Sequence, residues 1–163
     1  MITLAFQIPP IEGNRMTAYI DSLGLSDRWT DDSRHVLRTG LEPNPRRYKR
    51  FVNGIELLFD VLDASKPEID DPLQRARFVK MSCIAYRWSA FFFAVARRPQ
   101  ALLDYVQATD GSHDQAVEAF KKAWPQLASV AASRDLYEFV KERPSLMNLS
   151  ADEVQQIVAL IAR

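Results

Sequence analysis

Residues 45–64 read PRRYKRFVNGIELLFDVLDA, and this stretch decides the fold. At about 100° per residue, its apolar side chains gather on one face of an α-helix: Tyr48, Phe51, Val52, Ile55, Leu58, Phe59 and Leu62. Polar side chains occupy the opposite face: Arg46, Lys49, Arg50 and Asn53. Arg47 lies to one side of this polar face. The pattern predicts a long helix that buries one face and presents the other to solvent or to a ligand.

Helix signals continue on both sides of this stretch. Asn44 and Pro45 mark its start, because Asn is a good N-cap and Pro suits the first helical turn. Apolar periodicity together with capping residues, Gly and Pro predicts further helices near 16–23, 31–39, 72–97, 99–107, 113–123, 133–142 and 151–162. Gly40 is expected to close the second helix, and Ser150 with Glu153 indicates a capping box. The chain is therefore expected to be all-α, a bundle of about eight helices.

The longest predicted helix, 72–97, is apolar on nearly every side around Phe91, Phe92 and Phe93. Such a helix is typical of the centre of a bundle. Its apolar segment, residues 84–96, is too short for a membrane span, which needs roughly 20 residues. It also contains Arg87, which should need an acidic partner or a route to solvent.

Residues 1–8 form the only stretch with strand character. Ile2, Leu4, Phe6 and Ile8 alternate with less apolar residues until a Pro-Pro pair at 9–10 stops the pattern. A lone strand cannot satisfy its backbone, and no later segment offers a partner strand. The pattern indicates a strand stub from a larger α/β body. It lacks the basic start and continuous apolar run of a signal peptide.

Composition narrows the function classes. Lys and Arg number 21, and so do Asp and Glu, so no overall field favours nucleic acid or an anionic membrane. Cys83 is the only cysteine, which excludes an internal disulfide or a Cys-based zinc site and fits a cytoplasmic protein. His35 and His113 lack metal-ligand spacing, and no nucleophile elbow occurs. We therefore expect neither a catalytic residue nor a metal ligand.

The one concentrated charge lies at the start of the helix at 45–64. Arg46 and Arg47 occupy its first turn, where the helix dipole is already positive, and each is unfavourable by a few tenths to about 1 kcal/mol. Free N–H groups, the dipole and guanidinium groups together would form an anion site. The alternative is a solvated basic surface, paired with Glu42 or another acid.

Residues 42–53, EPNPRRYKRFVN, resemble the Asn-Pro-Arg-x-x-Lys-Arg-aliphatic-x-Asn signature that follows the ATPase core of KAP-family P-loop NTPases. Residues 2–20 are similar to the last core strand, the Pro-Pro exit and the first lid helix of that family. The resemblance implies a sensor-2-like role for Arg46, which would contact nucleotide phosphate, with Lys49 and Arg50 in support. Asn44 and Pro45 would set the helix start that aims these side chains.

The resemblance also implies a domain layout. Residues 1–8 would be the strand stub of a missing α/β core, 9–107 a helical lid-like domain, and 108–163 a C-terminal extension packed on it. No Gly-x-x-x-x-Gly-Lys-Ser/Thr motif and no Walker B strand occurs, so the chain is not expected to hydrolyse ATP. ATP and Mg²⁺ are expected only for an intact parent protein. The expected partner is the missing core or another protein, and the chain would be a truncated product, a cloned domain or a stand-alone remnant.

Two other classes of function remain open. Residues 32–39, the turn at 40–44 and the basic helix have the order of a helix-turn-helix, with Arg46, Arg47 and Arg50 entering a DNA groove. The neutral overall charge and the long turn make nucleic acid the less favoured partner. The third class is a helical interaction or inhibitor protein, such as a small immunity protein, which the composition also fits.

Overall fold

The computed structural model describes residues 13–65 and 71–162, and within these ranges every regular element is helical. The helices are α1 Gly13–Asp21, α2 Asp31–Gly40, α3 Pro45–Ser65, α4 Pro72–Arg87, α5 Ser89–Arg97, α6 Gln100–Ala108, α7 His113–Ala123, α8 Ala128–Ala131, α9 Arg134–Lys141 and α10 Ala151–Ile161. A 3₁₀ turn, Pro125–Leu127, precedes α8. The all-α prediction is confirmed. The strand predicted at 1–8 lies outside the described residues.

The helix ends follow local capping chemistry. The predicted capping box at Ser150 and Glu153 is confirmed at the start of α10. A second capping box, which was not predicted, joins Ser112 and Gln115 at the start of α7. The short α8 and the 3₁₀ turn were also missed, because they are too brief to produce a periodic pattern.

Helix α4 lies at the centre of the core and packs against α2, α5 and α10. The apolar face predicted for α3 is confirmed, since Ile55 and Phe59 are 2% and 0% exposed, although Leu58 is only partly buried. The Phe59 ring meets Trp29 edge to face, with ring centroids 5.7 Å apart, and lies 6.2 Å from the Phe78 ring of α4. These contacts fix the orientation of α3, so its opposite face is turned to solvent.

The single long helix predicted at 72–97 is wrong. The chain leaves helical geometry at Trp88, whose φ and ψ are −122° and 55°, and α5 runs at 117° to α4. This bend lets Phe91 pack between Tyr105 and Phe120, at centroid distances of 5.1 and 6.4 Å. It also leaves Phe93 on the surface, 63% exposed. The apolar segment is thus divided between two helices instead of forming one buried rod.

Membrane-span criteria are not met by any single helix in the described ranges. Helices α4 and α5 satisfy them only when taken together across the bend at Trp88.

Gly40 does not end α2 in the way the sequence predicted. It is the last residue of the helix and is buried, and Leu41 forms the C-cap. A Cβ at this position would lie 2.8 Å from Cε2 of Phe139 and 2.9 Å from Sγ of Cys83. Close packing of α2 against α4 and α9 therefore explains the glycine. The glycine with positive φ is Gly24, at +62°, in the loop after α1.

Two cations of α4 hold the connection between α9 and α10. Arg77 donates hydrogen bonds to the carbonyl oxygens of Ser145 and Met147, both at 3.0 Å. Lys80, one turn further along α4, is completely buried and donates to the main-chain carbonyls of Val140, at the end of α9, and Pro144, in the connection. These contacts were not predicted from the sequence.

The expectation for Arg87 is confirmed. Its guanidinium donates to a carboxylate oxygen of Asp135 at 2.7 Å and stacks over the Trp88 ring, 4.5 Å from the centroid. The charge is therefore paired at the edge of the core, close to the bend between α4 and α5.

Candidate functional site

The start of α3 is held by two side chains. Oδ1 of Asn44 accepts hydrogen bonds from the main-chain N–H groups of Arg46 and Arg47, at 3.1 and 3.3 Å. The Tyr19 hydroxyl on α1 donates to the carbonyl oxygen of Pro45 at 3.1 Å. Asn44 and Pro45 therefore lie where the helix begins, and α1 fixes that end of α3 to the rest of the fold.

The expected free N–H groups at this helix start are absent from the described structure. Pro45 has no N–H, and the next two N–H groups bond to the Asn44 side chain. The N–H of Tyr48 bonds to the Asn44 carbonyl at 3.0 Å. Because the first turn is capped internally, an anion bound here would have to be held by side chains rather than by the backbone.

Arg46, Lys49 and Arg50 are brought together on one side of α3. They stand at positions i, i+3 and i+4, which are neighbours on a helix surface. All three are exposed, and none makes a side-chain hydrogen bond or ion pair within residues 13–65 and 71–162. Arg47 differs, because its guanidinium forms an ion pair with Glu42. The basic cluster, defined here as Arg46, Lys49 and Arg50, is therefore uncompensated by any described neighbour.

Two arginines from elsewhere in the chain pair with three carboxylates on the acidic side of α3. Arg28 pairs with Glu56 and, at 2.7 Å, with Asp60, and it also reaches Asp63 at 3.4 Å. Arg75 on α4 bonds to Asp63 at 3.0 Å. The hydrogen bond to Asp60 raises the pKa of Arg28 although burial acts against it. This network anchors the α1–α2 loop to α3.

Glu56 is the best-connected carboxylate of that network. Its Oε1 accepts from the indole N–H of Trp29 at 2.7 Å and from the Ser26 hydroxyl at 2.9 Å. Burial alone would raise the pKa of Glu56, but these hydrogen bonds and the charge of Arg28 hold it below its usual value. The arrangement links residues 26, 28 and 29 of the α1–α2 loop to α3.

Other titratable groups form ordinary contacts. His35 lies 3.1 Å from a carboxylate oxygen of Glu142, and His113 lies 3.3 Å from Asp114. Within the described ranges, no three His, Cys, Asp or Glu side chains are grouped in a way that suits a metal ion. Burial raises the pKa of the Cys83 thiol, which disfavours the reactive thiolate.

The loop between α2 and α3 is shorter than the sequence indicated. Gly40 belongs to α2, so the connection consists of residues 41–44 only. However, α2 packs chiefly against α4. The length of the loop is therefore compatible with a helix-turn-helix. The packing is less so, because α3 packs mainly against elements other than α2.

Comparison of the chain with protein-family models, with curated proteins and with solved structures gives no match. The structure thus defines an all-α bundle whose third helix carries an exposed basic cluster. A relationship to KAP-family NTPases rests on residues 42–53 and 2–20 alone, and these comparisons do not identify it.

Proposed function

We propose that this chain is the helical lid-like and C-terminal region of a cytoplasmic KAP-like P-loop ATPase. Arg46, supported by Lys49 and Arg50, contacts the nucleotide phosphates when a core carrying the P-loop and Mg²⁺ is present. One observation carries the proposal: the basic cluster is exposed and uncompensated, whereas the adjacent Arg47 is paired with Glu42. Like charges at this spacing repel one another, and a bound phosphate relieves that repulsion.

The chain contributes charge and position to this reaction, and the core contributes the chemistry. A guanidinium binds phosphate through two parallel N–H donors, while an ammonium acts as a point charge. The Asn44 cap and the bond from Tyr19 to Pro45 fix the first turn of α3 to α1. Movement of the helical body therefore carries Arg46 with it. In this proposal the chain supplies no nucleophile, phosphate cradle or metal ligand, and alone it is not an enzyme.

The test joins residues 1–163 to a KAP-type P-loop core in one polypeptide and measures ATP affinity and turnover. Loss of a hydrogen-bonded charged contact costs about 1.5–3 kcal/mol. Arg46→Ala is therefore expected to lower ATP affinity or turnover roughly tenfold to a hundredfold. Arg47→Ala is the matched control. It removes the same positive charge from the neighbouring residue, whose side chain is already paired with Glu42. Equal effects of the two substitutions, or no effect of Arg46→Ala, would contradict the proposal.

The lone chain provides a second test. It is expected to show no ATP hydrolysis above that of a buffer blank, since the proposal places the phosphate cradle elsewhere. Turnover that copurifies with the chain and disappears in Arg46→Ala would contradict this assignment.

Nucleic-acid binding is the second candidate, favoured by the exposure of the same cations on α3. It predicts that the lone chain binds duplex DNA, with a log–log salt slope of about one unit per phosphate contacted. Titrations at two salt concentrations with wild type and Arg50→Ala distinguish the candidates. Tight, salt-sensitive binding that Arg50→Ala weakens would replace the lid proposal.

A further inference from the structure

The exposed face of α3 changes character halfway along the helix. Its first half carries the basic cluster, and its second half carries Leu57 and Val61, which are 67% and 40% exposed. Five residues of this face fall within an arc of about 80°: Arg46, Arg50, Gly54, Leu57 and Val61. At 1.5 Å rise per residue, that row is about 22 Å long, the length of a helix-packing seam. An exposed leucine and valine in line with one another suit a partner helix rather than solvent.

Gly54 has no role in the packing of the described chain. A glycine inside a helix costs about 1 kcal/mol relative to alanine. A Cβ at position 54 would meet no atom within 4 Å, in contrast to Gly40, whose added Cβ would collide with Phe139 and Cys83. We call the open space at this position, one turn from the exposed Leu57, the Gly54 hollow. The space above a residue without a side chain can accept a large side chain from a second helix.

The charges of α3 are arranged with opposite signs along its length. Lys49 and Arg50 lie in the first half, and Asp60 and Asp63 lie in the second half. The two aspartates remain 65% and 44% exposed although they bond to arginines of the same chain. Two such helices side by side in antiparallel orientation bring each basic half against an acidic half.

We propose that two copies of this chain pair through α3 in antiparallel orientation, with Leu57 of each copy seated in the Gly54 hollow of the other. The same patch then serves both copies, as a two-fold interface requires. In this register, position 57 of one copy faces position 54 of the other, and position 61 faces position 50. Val61 therefore covers the aliphatic stem of Arg50, and Lys49 lies on the same flank of the seam as Asp60 of the second copy. This pairing needs no nucleotide. Because it covers Lys49 and Arg50, it excludes the phosphate contact of the proposed function as long as the two copies are paired.

Sedimentation velocity of the whole chain, from micromolar to near-millimolar concentration at low salt, tests the pairing. The weight-average sedimentation coefficient of wild type is expected to rise toward that of a dimer. Leu57→Glu places a charge in the seam and Gly54→Gln fills the hollow, so both variants are expected to stay monomeric. Circular dichroism checks that they remain helical, as an exposed position on α3 should allow.

Matched controls separate the seam from a general effect of charge. Phe93→Glu replaces an apolar side chain of similar exposure, 63%, on α5 and should leave the dimer intact. Lys49→Glu should weaken the dimer about tenfold or more, and Lys122→Glu, the same change on α7, should not. A wild type that is monomeric at the highest concentration would overturn the proposal. So would a dimer that persists in Leu57→Glu and Gly54→Gln, or one that Phe93→Glu disrupts equally.

Discussion

The ammonium group of Lys80 lies 3.0 Å from the carbonyl oxygen of Val140 in the last turn of α9. It also donates to the carbonyl of Pro144 at 2.9 Å, so its hydrogen bonds go to the main chain. Carbonyl groups at a helix C-terminus form the negative end of the helix dipole, which favours a cation. Through these hydrogen bonds, the buried Lys80 side chain ties α4 to the end of α9 and to the connection that follows it.

The stability of the chain should depend on pH through Lys80. Burial lowers the pKa of this amine to about 7 from an ordinary 10.5, although the Glu142 carboxylate acts in the opposite direction. Between these values the unfolded state binds more protons than the folded state. The free energy of unfolding is therefore expected to rise with pH in this window, by at most about 1.4 kcal/mol per unit.

Urea unfolding across that pH window measures this effect. Lys80→Met should flatten the dependence, while Lys122→Met, at an exposed site on α7, should leave it unchanged. A slope that survives in Lys80→Met would show that other groups produce it.

The two helical glycines, Gly40 and Gly54, should respond in opposite directions to alanine. Gly40→Ala forces a methyl group against Phe139 and Cys83, and such overpacking costs roughly 1–3 kcal/mol. Gly54→Ala meets open space and should stabilise the monomer by up to about 1 kcal/mol. Thermal unfolding at a concentration below that of any self-association gives both values. Shifts of the same sign would contradict the packing described for α2.

Removal of the Glu56 carboxylate should destabilise the fold. Glu56→Ala leaves the Trp29 indole without its acceptor and removes one of the three carboxylates that pair with Arg28, at a cost of roughly 1–3 kcal/mol. Because the folded-state pKa of Glu56 is lowered, its contribution is present above the ordinary pKa and is lost as pH falls below it. Chemical unfolding at neutral and acidic pH measures both effects. Glu118→Ala, at an exposed position on α7, is the control and should change neither.

Truncation on the buried face of α3 should cost far more than truncation on its polar face. Ile55 is 2% exposed, and Ile55→Ala is expected to lower the free energy of unfolding by roughly 2–5 kcal/mol. Phe51→Ala should fall in a similar range. Arg47→Ala, on the surface, should stay within about 0.5 kcal/mol of wild type. Comparable losses at positions 47 and 55 would be inconsistent with the orientation of α3.

Local signals explain what the sequence predicted well. Pro45, Pro72 and Ser150 act on the first turn of the helix that follows them, so the starts of these helices were predicted closely. The buried face of α3 followed from periodicity for the same reason. Trp88 carries no such signal, since the apolar pattern continues through it. Its bend depends on Phe91 reaching Tyr105 and Phe120, which lie further along the chain.

In the candidate site, too, some features could be predicted from the sequence and others could not. Exposure of Arg46 follows from its angle on α3, but the capping of the first N–H groups by Asn44 required the actual side-chain geometry. Lys80 could not be assigned from sequence, because its acceptor Val140 is 60 residues away. Leu57 and Val61 lie off the apolar arc of α3, and the sequence alone shows this deviation.

The two asparagines of the α3 region differ in chemical durability. Deamidation proceeds when the next main-chain nitrogen attacks the side-chain amide, and Pro45 has no N–H with which to do so. The Asn44 cap is therefore protected by its own neighbour. Asn53 precedes Gly54, the least hindered partner for this attack, and is shielded only by the helical backbone of α3. Ageing of the protein would accordingly add a negative charge at position 53, in the middle of the exposed face, while the start of the helix stays intact.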